Sequence, residues 1–352
     1  MRPARACPLR FRYLAKPGLV EMQVITDAKA MRRWSQAHRA AGRSVSLVPT
    51  MGYLHLGHLS LVKEALSRSD VCVVSIYVNP AQFAANEDFG TYPRDEQGDL
   101  RKLKELGVHA VFMPERLYVV EVCGDKTDGD EENLRTNSPA SNSPETNSPE
   151  TNSPVSNSPP ETKAAHETYV TAEQLQVGLC SKTRPHFFRG VATVVAKLFN
   201  ICEPDVAVFG KKDYQQLRVV QRVVRDLDFA IDVVGAPLER ETDGLAMSSR
   251  NARLTADHRA NALAISRGLL VLKNKVATSH RGLDEQTLAN EVREIRTGIT
   301  EAGGEVDYVE VCDQESLVPV KTLPAGAKAV CLVAAKFGDV RLLDNAELGG
   351  EA

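Results

Sequence analysis

The sequence has no long apolar run. Stretches such as 71–78 and 330–335 end well short of the roughly 18 consecutive apolar residues that span a bilayer, so no membrane crossing is expected. It has no ordered cysteine pattern either. Seven cysteines are scattered along the chain without a C-x-x-C, which argues against a disulfide framework or a zinc site and reads as reduced thiols. Cys72 sits inside an apolar run, where a small buried hydrophobe is expected. Nor is there an excess of either charge. Lys and Arg number 43 against 46 Asp and Glu, a formal net charge of -3, which argues against a nucleic acid or an anionic membrane as the main partner. What is present is a globular composition: 352 residues, 43% hydrophobic and 25% charged, enough to bury a core in one large or about two ordinary domains.

Two segments have little to bury. Residues 1–21 carry Arg2, Arg5, Arg10, Arg12 and Lys16, with no acidic residue before Glu21. They lack serine, and Met22 is an alternative start, so they read as an N-terminal extension of a cytoplasmic protein; an organelle transit peptide is the competing reading. A disordered insert is expected over about 120–166. Within it, residues 136–162 repeat Asn-Ser-Pro five times, and Ser, Pro, Asn, Thr and Glu supply 25 of those 27 residues. Six prolines and the lack of apolar positions exclude both a packed core and a solenoid. The acidic run 125–132 reads as part of the same solvated loop rather than as a metal site.

Elsewhere strand-like and helix-like segments alternate. Strands are expected at 45–48, 71–78, 110–113, 206–209 and 229–234, and helices at 60–69, 100–106, 191–201 and 214–226. This alternation predicts an α/β fold with a Rossmann-like parallel sheet over residues 22–238. From Glu239 a smaller C-terminal α+β domain, 239–352, is expected, with helices at 256–277 and 285–302 and strands at 306–311 and 329–335. Ligands of parallel sheets bind beyond the carboxyl ends of the strands, so segments just after strands are where chemistry is sought.

Four clusters occupy such places. The first runs from Pro49 through Met51, Gly52, His55, Gly57 and His58, joining a strand to a helix. Two histidines three apart at a helix N-terminus can meet an anion together with free N–H groups, and glycines let the backbone come close to a nucleotide. A polyphosphate would hold these imidazoles partly protonated; the plain alternative is a pair of capping or solvated histidines. In the second, Asn79 to Phe83, Gln82 offers a donor and an acceptor at the sheet edge, or a simple turn amide. The third, Phe209 to Gln216, places Gly210, Lys211, Lys212 and Asp213 after a strand without the G-x-x-x-x-G-K spacing of a Walker loop. A lysine here can meet phosphate oxygens and Asp213 can accept from ribose hydroxyls, although a solvated turn has the same composition. The fourth, Asp243 to Asn251, brings Met247, Ser248, Ser249 and Arg250, two hydroxyls and a guanidinium suited to distal phosphates, with a plain helix cap as the alternative.

Together these clusters resemble the pantothenate synthetases (pantoate–β-alanine ligases) of the H-x-G-H nucleotidyltransferase superfamily. The matching stretches are P-T-M-G-x-L-H-x-G-H-x-x-L at Pro49–Leu61, V-N-P-x-Q-F at Val78–Phe83, F-G-x-K-D-x-Q-Q-L at Phe209–Leu217 and D-G-L-A-x-S-S-R-N at Asp243–Asn251. The resemblance implies attack of pantoate on MgATP to give pantoyl adenylate and pyrophosphate, then attack of β-alanine to give pantothenate and AMP. It implies catalytic roles for His58, His55 and Lys212, and ATP contacts from Met51, Gly52, Gly57, Gly210, Lys211, Asp213, Glu239, Met247, Ser248, Ser249 and Arg250. It also implies pantoate contacts from Gln82 and Gln216, a homodimer through the N-terminal domain, a C-terminal domain acting as a lid, and no tightly bound organic cofactor. Three features depart from the family pattern. Arg184-Pro185-His186-Phe187 stands where many members have R-P-G-H, Lys211 replaces a common acidic residue, and Asp99 is present as a possible magnesium neighbour while residue 98 is glycine. No protein-only metal site is expected, since magnesium on ATP keeps several waters. A class I aminoacyl-tRNA synthetase shares the H-x-G-H logic but needs more chain and more positive charge. A non-catalytic nucleotide-binding scaffold is the other alternative, and the intact His55, His58, Lys212 and Arg250 argue against it.

Overall fold

The structure is a computed structural model and describes residues 21–84, 87, 89–118 and 166–349. The N-terminal extension and the Asn-Ser-Pro insert lie outside the described residues. Among the described residues, those up to Glu115 and from Tyr169 onward form one compact unit, to which 116–118 and 166–168 do not belong.

Six parallel strands make the central sheet of the larger unit: β1 (Gln23–Ile25), β2 (Val45–Thr50), β3 (Val71–Ile76), β4 (Ala110–Phe112), β5 (Val206–Gly210) and β6 (Asp232–Ala236), in the order β1-β4-β3-β2-β5-β6. β2 and β3 are apolar almost without interruption because both faces are covered. Helices α2 (Leu56–Arg68) and α3 (Glu96–Glu105) pack with strand residues such as Val48, Val74 and Val111. After the single-turn helix α4 (Cys180–Thr183) comes α5 (Phe187–Cys202), which packs against α1 (Ala28–Ala40) and α6 (Tyr214–Asp226). Right-handed crossovers put these three helices on the opposite face. Strand order reverses direction between β2 and β5. The carboxyl ends of these two strands therefore flank the crevice where such sheets take ligands.

The rest of this unit is α+β. Helices α7 (Ala256–Thr278) and α8 (Glu285–Glu301), capped by Thr255 and Asp284, cover an antiparallel sheet of β8 (Glu305–Asp313), β10 (Ala329–Phe337) and β11 (Val340–Leu348). Between them run the short pair β7 (Gly282–Leu283) and β9 (Leu323–Pro324). A cluster including Phe188, Val219, Tyr308 and Leu332 joins this sheet to α5 and α6.

Several elements differ from the sequence reading. The expected strand at 229–234 begins at Asp232, because Asp228 takes a left-handed φ of 54° and Phe229 bonds back to Val224 to close α6. α2 begins at Leu56, four residues early, because His55 caps it. β1, α1 and β11 have no counterpart among the expected elements. β11 follows β10 through a two-residue turn at Gly338-Asp339, with Phe337 opposite Val340. The five cysteines among the described residues are free and buried, Cys72 among them.

Candidate active site

The loop from β2 to α2 is built against its local preferences. Gly52 and Tyr53 both adopt positive φ, 83° and 52°, so the chain turns sharply after Met51. A non-glycine residue in this region is costly, and Asp99 on α3 offsets it. Its oxygens accept the N–H groups of Tyr53 and Leu54, both at 2.7 Å, and Lys102 donates to the Leu54 carbonyl at 2.8 Å. Burial pushes the Asp99 carboxyl up; these two N–H groups and Lys102 oppose the rise. Asp99 therefore holds the loop through both of its oxygens.

His55 and His58 are both caps and cleft residues, so the two readings left open by the sequence coexist. His55 Nδ1 accepts the Gly57 N–H at 3.1 Å, and His58 Nδ1 accepts the His55 N–H at 3.4 Å. Their rings lie 4.0 Å apart. Because each Nδ1 takes a backbone proton, each Nε2 must carry the imidazole hydrogen in the neutral ring. Burial, then Lys212, pulls His55 down to about 4; burial, then His55 and Lys212, pulls His58 down to about 3. Protein groups alone thus keep both neutral at pH 7, and the expected partial protonation has to come from phosphate itself. Gly57 is glycine for room: a Cβ there would lie 3.0 Å from the His55 ring and 3.4 Å from Met247 Cβ.

The other three clusters converge on the same cleft of about 790 Å³. After β5, Lys212 donates to Asp213 at 3.2 Å. Burial would raise the Asp213 carboxyl, but Lys212, with Arg250 and His58 behind it, holds it below the usual range. In the fourth cluster Ser249 reaches the Tyr53 carbonyl at 3.4 Å, Met247 N–H donates to Glu239 O, and Ser248 caps the following turn. At the end of β3, Asn79 is 1% exposed and fixes Gln82. Its Nδ2 donates to Gln82 Oε1 and to the Gly190 carbonyl, both at 3.1 Å, while Gln82 Nε2 faces Met51 Sδ. Of the adjacent glutamines on α6, Gln215 is spent on Leu175 and Cys180, and Gln216 lines the cleft.

Met51, His55, Gly57, His58, Gln82, Gly210, Lys212, Asp213, Gln216, Glu239, Met247, Ser248, Ser249 and Arg250 all line this cleft. Two expected site residues do not. Gly52 lies behind the loop against Ile76 and Asp99. Lys211 turns away and pairs with Glu347 of β11 at 2.7 Å, which explains why a basic residue is accommodated there. In the altered R-P-H-F segment Phe187 lines the cleft with the Arg184 guanidinium 3.8 Å over its ring, whereas His186 is exposed. Sequence reasoning gave no role to Asn79, Arg184, Arg240, Asp344 or Asn345. Arg184 grips Glu87 through two bonds and the Gln82 carbonyl at 3.0 Å. The one available signal was Asp344-Asn345, a polar pair inside an apolar run.

A parallel sheet with an H-x-G-H turn at its switch point, faced by a lysine loop and a Ser-Ser-Arg loop, is the arrangement of an H-x-G-H nucleotidyltransferase. A family model described as pantoate-beta-alanine ligase matches residues 23–347. The pantoate–beta-alanine ligase of Arabidopsis thaliana is 48% identical over 94% of this chain and 99% of its own length. The pantothenate synthetase of Desulfatibacillum aliphaticivorans is 40% identical over 92% of this chain and 98% of its own. Crystallised pantothenate synthetase from Thermus thermophilus superposes with a TM-score of 0.72 at 35% identity, covering 94% of this chain and 100% of that one. The Francisella tularensis ligase complexed with beta-gamma ATP and beta-alanine gives 0.59 at 25% identity, covering 92% and 97%. The chain belongs to the pantoate–β-alanine ligase family, enzymes of pantothenate synthesis.

Proposed function

We propose that this cleft joins pantoate to β-alanine in two steps through pantoyl adenylate. Pantoate, held by Gln82 and Gln216, attacks the α-phosphorus of ATP with its carboxylate oxygen. The bond to the β,γ-pyrophosphate breaks, and the acyl adenylate forms. The β-alanine amine then attacks the acyl carbon, loses a proton and expels AMP. The observation that carries this reading is the convergence of two Nε2–H donors, on His55 and His58, with Lys212 and the Ser248–Arg250 turn in one cleft. Negative charge growing on the leaving pyrophosphate is best met by such fixed donors. Asp213 and Glu239, which line the same cleft, would take the nucleoside in this reading.

Magnesium enters as part of the nucleotide substrate. Phosphate oxygens and water hold the ion in this reading. In this reading residues 239–352 form a lid domain over the 22–238 domain, the chain is a cytoplasmic homodimer, and no organic cofactor is bound tightly. No described helix is long and apolar enough to cross a membrane.

The decisive experiment is exchange of labelled pyrophosphate into ATP. Exchange with pantoate and without β-alanine, and release of AMP and pantothenate only when all substrates are supplied, is the expected result. Release of ADP and phosphate, or exchange that requires β-alanine, would overturn the two-step reading.

A further inference from the structure

Successive side chains of a β-strand face opposite ways, and β11 uses this to hold two loops of the cleft at once. Leu343, Asn345 and Glu347 face α5, α6 and the loop after β5. Leu343 packs with that cluster, and Glu347 takes the Lys211 ammonium. Asn345, only 6% exposed, donates both hydrogens of Nδ2 to backbone carbonyls, of Lys211 at 2.8 Å and of Lys212 at 3.0 Å. Asp344 faces the other way and is 4% exposed. It takes the Arg240 guanidinium through two bonds of 2.7 and 2.9 Å, and Arg240 also donates to the Gly244 carbonyl at 3.0 Å. That contact closes the 240–246 loop, whose ends bridge at Arg240 and Ala246, immediately before Met247 to Arg250. Asp344 Oδ1 further accepts the Asn345 N–H at 2.7 Å, so the two grips share one rigid peptide.

We infer that Asp344 and Asn345 are positioning residues that fix the Lys212 loop and the Ser248–Arg250 loop relative to one another for the nucleotide phosphates. Neither acts on a reacting atom; both act through main chain or through Arg240. An amide is required at 345 because one nitrogen with two hydrogens satisfies both carbonyls at once, and a carboxylate of the same shape would put an oxygen in its place against those two oxygens. A charge is required at 344 because the Arg240 guanidinium, one-third exposed, takes both of its bonds to a carboxylate from this buried residue. Preorganised cations lose much of their effect when displaced by about an ångström. Loosening this peptide should therefore reduce turnover without touching the pantoate side at Gln82, which lies in the turn after β3 and bonds to Asn79 and Met51.

The inference rests on the reading of the cleft as an adenylate-forming site, and its test separates the two. Asn345→Asp and the smaller Asn345→Ser, with Asp344→Asn, are compared with the wild-type chain. The measurements are pantoate-dependent pyrophosphate exchange, with kcat and the KM for pantoate determined separately; calorimetric binding of α,β-methylene-ATP; and thermal melting. The expected result is a fall in kcat of at least fivefold in Asn345→Asp and Asp344→Asn, with the pantoate KM within threefold of wild type. If Asn345→Asp does not fold, Asn345→Ser is judged by the same thresholds. Variants that melt earlier but turn over within fivefold of wild type per folded molecule would overturn the inference, because a purely structural role predicts that outcome. Absence of exchange in the wild type would instead sink the ligase reading. The positioning role would then be decided by the ATP analogue: weakening of at least fivefold supports it, and unchanged binding overturns it.

Discussion

His55 does two jobs with two nitrogens, and they can be separated. Nδ1 caps α2 by accepting the Gly57 N–H at 3.1 Å, and Nε2–H faces the cleft. His55→Ala removes both functions; His55→Asn replaces the cap with another good one and removes only the cleft donor. Loss of a cap costs about 1 kcal/mol, a drop of a few degrees in Tm for a domain of this size. Loss of a preorganised donor to a developing anion costs about 3 kcal/mol, on the order of a hundredfold in rate. Both variants should therefore lose pantoate-dependent pyrophosphate exchange by about a hundredfold, but only the alanine variant should melt measurably earlier. The assay is exchange per folded molecule alongside a thermal melt in the same buffer. Exchange in His55→Asn within tenfold of wild type would refute the reasoning, because it would make the histidine a cap and nothing more.

The two lysines after β5 should behave differently. Lys211→Ala, which removes a half-exposed pair with Glu347, should cost under about 1 kcal/mol in urea unfolding and leave exchange within threefold, whereas Lys212→Ala should lose exchange by about a hundredfold. His186→Ala should be silent in a steady-state assay because that side chain is exposed, while Phe187→Ala, which opens the cleft wall under Arg184, should raise the KM for pantoate. Acid should destabilise the protein through His55 and His58. The unfolded histidines take up protons below about pH 6.5, while the folded ones resist until about 4 and 3. Stability is therefore fully present above pH 6.5 and lost as the pH falls toward those values, by at most about 1.4 kcal/mol per pH unit for each histidine. His58→Gln should flatten urea unfolding measured from pH 6.5 to 4.5, and an unchanged slope would contradict the burial argument.

Most of the site was legible because its residues sit where short-range signals are strong. A buried strand followed by glycine and polar residues at a helix start marks the first and third loops without any knowledge of the sheet order. Nothing in the local sequence shows that Lys211 and Lys212 part company. Their divergence is decided by Glu347, which lies far along the chain. Nor does the local sequence show the loop-holding role of Asp99: only the tertiary structure brings two backbone N–H groups of the first loop onto its carboxylate. β11 was missed although its turn, Gly338-Asp339, and its alternation were readable; the polar residues Asp344 and Asn345 interrupt the apolar pattern at the very positions that reach the cleft loops. β1 has three residues and two exposed positions, too short a pattern for periodicity to register.

The dependence of Tyr53 and Leu54 on Asp99 bears on protein engineering. The ten residues from Pro49 to His58 look like a portable cassette, a motif to be transplanted into any parallel sheet to create a nucleotide site. They are not self-contained. The left-handed turn at Tyr53 needs the N–H groups of Tyr53 and Leu54 accepted by a carboxylate 45 or so residues downstream, on a helix whose own first turn is capped by Asp95. A graft into a host sheet without an acid at the matching place on the helix after the next strand should relax to ordinary backbone angles and point both imidazoles elsewhere. Supplying that one distant acid, with a lysine one helical turn beyond it, is the smallest addition that would let the borrowed loop keep its shape.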